Sequence, residues 1–141
     1  MEILVKDRYR QTLTDVGLLI MRLWAGFIMI YAHGWGKLMD FSGRIESMDG
    51  FMGMPGVVAA TLVVFAEVFC AALIGLGLAT RVVAVPLLVT MLIAAFVAHA
   101  GDPFGDRELA LFFATAYLML IFTGPGKYSL DHVIDRRWKA E

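Results

Sequence analysis

The chain has 141 residues, 60% of them apolar, only 18% charged, with a mean hydropathy of +0.74. Soluble domains carry about a quarter charged residues, so a water-soluble enzyme fold is excluded, as is a disordered chain. The net charge of −1 and the single cysteine, Cys70, give no reason to expect nucleic acid, a disulfide, a Cys-x-x-Cys redox pair or an iron–sulfur cluster.

A hydrocarbon core of ~30 Å calls for ~20 mostly apolar helical residues. Four segments approach this, at about 16–32, 57–79, 82–98 and 109–123. Lys6, Arg8 and Arg10 ahead of the first imitate a signal peptide, but the stretch holds Arg22 and runs into Gly34-Trp35-Gly36-Lys37 with no small-x-small cleavage site, which predicts a retained helix. Residues 41–55 mix Phe41, Ile45, Met48, Phe51, Met52 and Met54 with Ser42, Arg44, Glu46 and Asp49, the pattern of an amphipathic segment along the membrane interface, with an irregular loop as the alternative. Little more than Thr80 and Arg81 separates the second and third spans, so these should be antiparallel neighbours. Gly124-Pro125-Gly126 must end the fourth helix, and Ser129 can cap a short charged helix through Arg137. Period-2 alternation is absent, which argues against a β-barrel. The expectation is one all-α domain over 1–141, a four-helix membrane bundle with an interfacial segment after helix 1 and a short amphipathic C-terminal helix in the tail 127–141.

With both termini on one side, that side holds eight cations, Lys6, Arg8, Arg10, Arg81, Lys127, Arg136, Arg137 and Lys139, against Lys37, Arg44 and Arg107 opposite. The positive-inside bias then places both termini and the tail in the cytoplasm, with the chain multi-pass in the membrane.

Charged side chains at membrane depth cost at least ~2.5 to 3.5 kcal/mol, so each needs a partner and a reason. Arg22, Gly26, Met29, His33 and Lys37 follow one another at steps of four, three, four and four, one stripe at ~100° per residue that must face the bundle. Gly26 within it permits close approach of another backbone. Glu67, near the middle of the second span, lies between Arg22 and the His33/Lys37 end, and either can be its partner; such a pair can also serve only to fix helix register. His33, Lys37, His99 and Glu108 fall at the outer ends of three helices. A titratable imidazole, a lysine donor and a carboxylate in one layer can hydrogen-bond a quinone oxygen or a small anion and relay protons. Simple interfacial placement is the alternative for His99 and Glu108. Haem ligation by two histidines at helix ends, and a metal on His33, His99 and Glu108 without a local ligand motif, are both disfavoured. Cys70 reads as a small buried hydrophobe, and Trp24, Trp35 and Trp138 as interfacial anchors.

Arg22-Leu23 with Gly26, His33-Gly34-Trp35-Gly36-Lys37-Leu38, Glu67 leading to Leu76-Gly77-Leu78-Ala79-Thr80-Arg81, His99 with Glu108, and Gly124-Pro125-Gly126-Lys127-Tyr128-Ser129-Leu130-Asp131 together resemble the DoxX family of small bacterial and archaeal membrane proteins, over about Leu18 to Asp131. The resemblance implies a four-helix membrane bundle in the (inner) membrane of a bacterial or archaeal cell. It also implies a link to quinone redox chemistry and a partner subunit, because the family takes its name from part of an archaeal thiosulfate:quinone oxidoreductase and other members are tied to oxidative-stress complexes. Arg22, His33, Lys37, Glu67, Arg81, His99, Glu108 and Asp131 fall on the family's polar positions. A lone Cys70 without a resolving thiol argues against direct thiol chemistry.

The leading expectation is a membrane subunit of a redox system, a quinone-linked oxidoreductase subunit, with a quinone-sized site near the outer leaflet. In it His33, Lys37 and Glu67 act on the ligand, Arg22, His99 and Glu108 complete the binding set with Arg22 paired to Glu67, and Arg81, Ser129 and Asp131 are structural. The alternative is a non-catalytic anchor or assembly factor whose tail recruits a soluble oxidoreductase. A small transporter is less favoured, since four short helices leave little lumen unless they form a homo-oligomer.

Overall fold

The computed structural model describes residues 2–139, and side chains from residue 7 onward; within it every regular element is helical. Lys6 and residues 140–141, counted above with the cytoplasmic side and the tail, lie outside the described side chains. α1 runs over Glu2–Ile28 and continues through a π-helical turn, Met29–Gly34, into Trp35–Met39. α2 is Phe41–Ser47. α3 comprises Gly56–Val64, a π-turn at Phe65–Cys70, and Ala71–Leu76; α4 comprises Thr80–Ile93 and a π-turn at Ala94–Ala98. α5 is Phe104–Thr123 and α6 is Leu130–Trp138.

Three of these helices, over Asp7–Met39, Gly56–Leu76 and Thr80–Ala98, are long and apolar enough to cross a membrane. α5 has 20 residues but carries Asp106, Arg107 and Glu108 in its first turns. α1 packs on α3, α3 on α4 and α4 on α5. The core they share holds Met29, Cys70, Ile74, Leu87, Phe113, Tyr117 and Leu120, and Cys70 is buried in it. Facing outward are Trp24, Phe27 and Tyr31, stacked along α1, with Phe65, Phe69, Phe96, Phe112 and Phe122 on the other helices. Large apolar side chains on the outside are what a lipid-solvated surface requires and what a water-solvated one avoids.

Close approach of α1 to α3 rests on two glycines. A Cβ on Gly26 would lie 2.7 Å from the Ala71 carbonyl oxygen, and one on Gly34 would lie 2.8 Å from that of Glu67. Gly26 beside Gly75 and Gly34 beside Glu67 belong to one antiparallel register, in which Lys37 is about level with Val64 and Arg22 with the Gly77–Ala79 turn. α1 therefore overruns the end of α3 by several turns, and depth counted from residue 16 places Arg22 too far into the membrane.

The connection between α3 and α4 differs from its predicted form. Gly77 and Ala79 take left-handed conformations (φ 71° and 49°), and Thr80 already belongs to α4. The helix can begin there because its cap comes from a distant part of the chain: the Asp131 carboxylate accepts from the backbone N–H of Ala79 at 2.6 Å and of Thr80 at 2.9 Å. Ser129 in turn caps α6, accepting from the His132 N–H, as predicted. The segment 41–55 is part helix and part loop, with α2 capped by Asp40 and then a tight reversal in which Gly50, Met52 and Gly53 all have positive φ. Asp49 accepts from Gly56 N–H at 2.8 Å and so caps α3.

Candidate functional site

At the end of the molecule opposite the chain termini, α1–α4 and the 48–54 loop line a partly open chamber of about 510 Å³. Met48, Phe51, Met52 and Met54 form one wall, Leu62, Val63 and Phe65 of α3 a second, and Pro86, Val89, Ile93 and Ala94 of α4 a third. The polar groups that reach it are Lys37, Arg44, Ser47, Glu67, Thr90 and His99. Leu62, Phe65 and Val89 are each about half exposed, so the rim between α3 and α4 lies on the lipid-facing side.

Glu67 is 3% exposed, and its two carboxylate oxygens both accept from the Lys37 ammonium at 2.6 Å. The helices account for this meeting. Gly34 brings α1 against the α3 backbone at Glu67, and Lys37 stands one turn further on, level with Val64, so its stem reaches back to the carboxylate. Taking two charges out of water costs several kcal/mol each, which mutual attraction offsets only with good geometry; two short bonds from one ammonium provide it. Lys37 keeps 22% of its side chain exposed and also lines a smaller polar pocket of about 270 Å³ with Gly36, Asp40, Gly43, Arg44 and Ser47. The pair thus stands between an apolar chamber and a polar vestibule.

The expected Arg22–Glu67 pair does not form. Arg22 is fully buried at the tail end, where it donates to the Tyr128 carbonyl at 2.6 Å and makes a longer contact of 3.5 Å with the Ile74 carbonyl. It closes the C-terminal end of α3 and holds down the segment that follows α5. A Cβ on Gly77 would collide with its guanidinium, which together with the positive φ accounts for glycine there. Asp15 fastens the same segment from the other side, accepting from the Lys127 N–H at 3.1 Å.

The predicted outer layer of His33, Lys37, His99 and Glu108 is only partly assembled. Lys37 and His99 line the chamber, and His99 Nδ1 lies 2.7 Å from an Asp102 oxygen. His33 is turned away, edge-on to Phe113, which stacks on Tyr117. The π-turn at Met29–Gly34 is the cause: the face of α1 that meets α3 reads Arg22, Gly26, Met29, Gly34, Lys37, with a step of five where a regular helix takes four. Glu108 is exposed on the first turns of α5 and does not line the chamber. Among the structural positions, Arg81 lies near the Phe122 carbonyl at 3.5 Å, and Ser129 and Asp131 act as caps.

Arg44 reaches both cavities, and among the described residues no carboxylate lies within salt-bridge distance of it. Its sequence setting marked it only as part of an amphipathic segment, since nothing local shows that α2 folds back over α3. A signal was present in its being the one cation of that segment. All three π-turns adjoin the chamber or its pair: Lys37 follows the first, the second contains Phe65 and Glu67, and the third contains Ala94 and Ala98. Such turns are frequent at functional sites. Among the described residues no three His, Cys, Asp or Glu side chains are grouped to hold a metal.

A family model described as DoxX matches residues 17–100, which include α1 from its second half through the end of α4. The chain is 33% identical over 130 residues to the inner membrane protein YqjF of Escherichia coli K12, covering 89% of this chain and 98% of that one. It is 35% identical over 123 residues to the inner membrane protein YphA of the same organism, covering 81% and 87%. A Bacillus subtilis protein named "Putative oxidoreductase CatD" is 29% identical over 118 residues, covering 83% and 86%. No solved structure matches the chain.

Proposed function

Since the chain belongs to the DoxX family of membrane proteins, we propose that it is a multi-pass inner-membrane subunit of a redox system that takes a quinone-like molecule into the chamber beside Lys37 and Glu67. α5 is the fourth span of a four-helix bundle, both termini lie in the cytoplasm, and the chamber belongs to the outer leaflet. The observation that carries this reading is the Lys37–Glu67 pair opening on an apolar chamber of about 510 Å³. Small-molecule sites are commonly about 300–1,000 Å³, mostly apolar, with a few placed polar groups. The half-exposed rim of Leu62, Phe65 and Val89 suits a ligand that arrives from the bilayer and not from water. The name of the Bacillus subtilis relative, as an oxidoreductase, points the same way.

The residues present fit a quinone head. Lys37, Arg44 and His99 are donors for its carbonyl oxygens, and Met48, Phe51 and Ile93 give apolar surface for ring and substituents. Bound there, a quinone would supply two-electron, two-proton chemistry. Glu67 holds the Lys37 ammonium at the chamber wall, Asp102 fixes the orientation of the His99 ring, and Lys37 connects the chamber to the polar vestibule, the side from which protons can be exchanged.

Titration of the purified protein in nanodiscs with a short-chain ubiquinone analogue tests this. Saturable binding is expected, weakened roughly tenfold or more by Arg44→Gln and by the paired change Lys37→Met with Glu67→Met, the size expected for losing a charge-assisted hydrogen bond. Absence of saturable binding, or equal binding by all three proteins, overturns the reading.

A further inference from the structure

α6 leaves one face uncovered. Leu130, Val133, Ile134 and Trp138 follow one another at steps of three, one and four, which puts them on one side of the helix, and they are 41%, 46%, 44% and 80% exposed. Arg136 and Arg137 follow in the last turn. Water is a poor solvent for that face, and among the described residues nothing else covers it.

The position of α6 along the membrane normal is fixed by its first turn. The Asp131 carboxylate caps Thr80, the first residue of a helix long and apolar enough to cross the membrane, and the Asp131 N–H donates to the Gly77 carbonyl at 2.9 Å. A residue hydrogen-bonded on both sides of the α3–α4 turn sits where those two helices emerge from the hydrocarbon. α6 therefore starts at the membrane boundary, continuous with the lipid-facing surface of α3 and α4.

We infer that α6 is an interfacial helix, with Leu130, Val133, Ile134 and Trp138 sunk into the headgroup region of one leaflet, Arg136 and Arg137 reaching lipid phosphates, and the Asp131 clamp setting its depth. Its occupant is the bilayer surface. An apolar face bordered by Arg136, with Arg137 in its last turn on a stem long enough to reach the headgroups and an indole at one edge, is the composition of helices that lie in that plane. The two arginines complement anionic headgroups.

The test uses the full chain with Trp24→Phe and Trp35→Phe, which leaves Trp138 as the single indole, in vesicles of phosphatidylcholine and phosphatidylglycerol. Trp138 is expected to be quenched severalfold more by lipids brominated near the carbonyl than by lipids brominated at the chain ends, and to resist aqueous acrylamide. Val133→Ser with Ile134→Ser should cut bromolipid quenching at least twofold with the thermal midpoint unchanged, because neither side chain is in the core. Asp131→Ala should raise acrylamide quenching at least twofold. Free access of acrylamide to Trp138 together with no bromolipid quenching overturns the inference. So does protection that appears only after a soluble protein fraction is added, which would make the face a protein-docking surface.

Discussion

Lys37 and Glu67 neutralise each other where little water can help, so their worth appears only when one is taken away. Glu67→Gln or Lys37→Met alone leaves a charge at the chamber wall with no counter-charge, and each should lower unfolding stability by about 3 kcal/mol, the lower end for a broken buried pair. The double change to methionines should restore most of that loss, since it leaves no orphaned charge. Denaturation in mild detergent checks this, and additive losses would show that the two side chains do not act as a pair. A buried carboxylate and a nearby cation could be read from Glu67 and Lys37 as residue types. That Lys37 and not Arg22 takes the role depends on the Gly34–Glu67 backbone contact, which no local pattern encodes. Arg44 is harder still to pick out, because it meets the chamber only through the fold-back of α2.

Among the elements, α4 begins on a borrowed cap. Its N-terminal N–H groups are met by Asp131, 51 residues away in the chain, so the start of a span depends on the segment after α5. Asp131→Ala should cost about 1–2 kcal/mol, the upper range for losing an N-cap, and hydrogen exchange should quicken first at Thr80 to Val83. Protection that stays unchanged there would sink the idea that the cap is supplied from outside. Helix existence is plain in the sequence because apolar runs of 15 to 23 residues leave few alternatives. The starting residue of α4 is not, because the cap is remote, and the face of α1 beyond Met29 departs from the periodic pattern, because a period of 3.6 assumes that no residue is inserted. The π-turn moves the interface from His33 to Gly34 and hands His33 to α5.

For the whole molecule, the cations on the side bearing the termini are Arg8, Arg10, Arg81, Lys127, Arg136, Arg137 and Lys139, and the position of Arg22 level with the α3–α4 turn adds it to that side. Only Lys37, Arg44 and Arg107 remain at the other end, a stronger asymmetry than Arg22 counted as intramembrane allowed. With Cys70→Ser removing the buried thiol, Arg8→Cys and Lys139→Cys should react with a membrane-impermeant maleimide only from the cytoplasmic side, and Ser42→Cys and Asp106→Cys only from the other. Labelling of Asp106→Cys and Lys139→Cys from the same side would mean that α5 does not cross.

The three π-turns have a consequence for how kindred chains should be compared. Length differences between homologous membrane proteins are ordinarily assigned to loops, where an added residue disturbs nothing. Here two apolar helices carry a spare residue in their interiors, at 29–34 and 65–70, while the third π-turn, at 94–98, ends its helix. A relative without one of them would differ by a single-position gap inside a span, and beyond that gap every side chain would point about 100° away from its apparent counterpart. Placing such a gap in the neighbouring loop would pair a chamber-lining residue with a lipid-facing one.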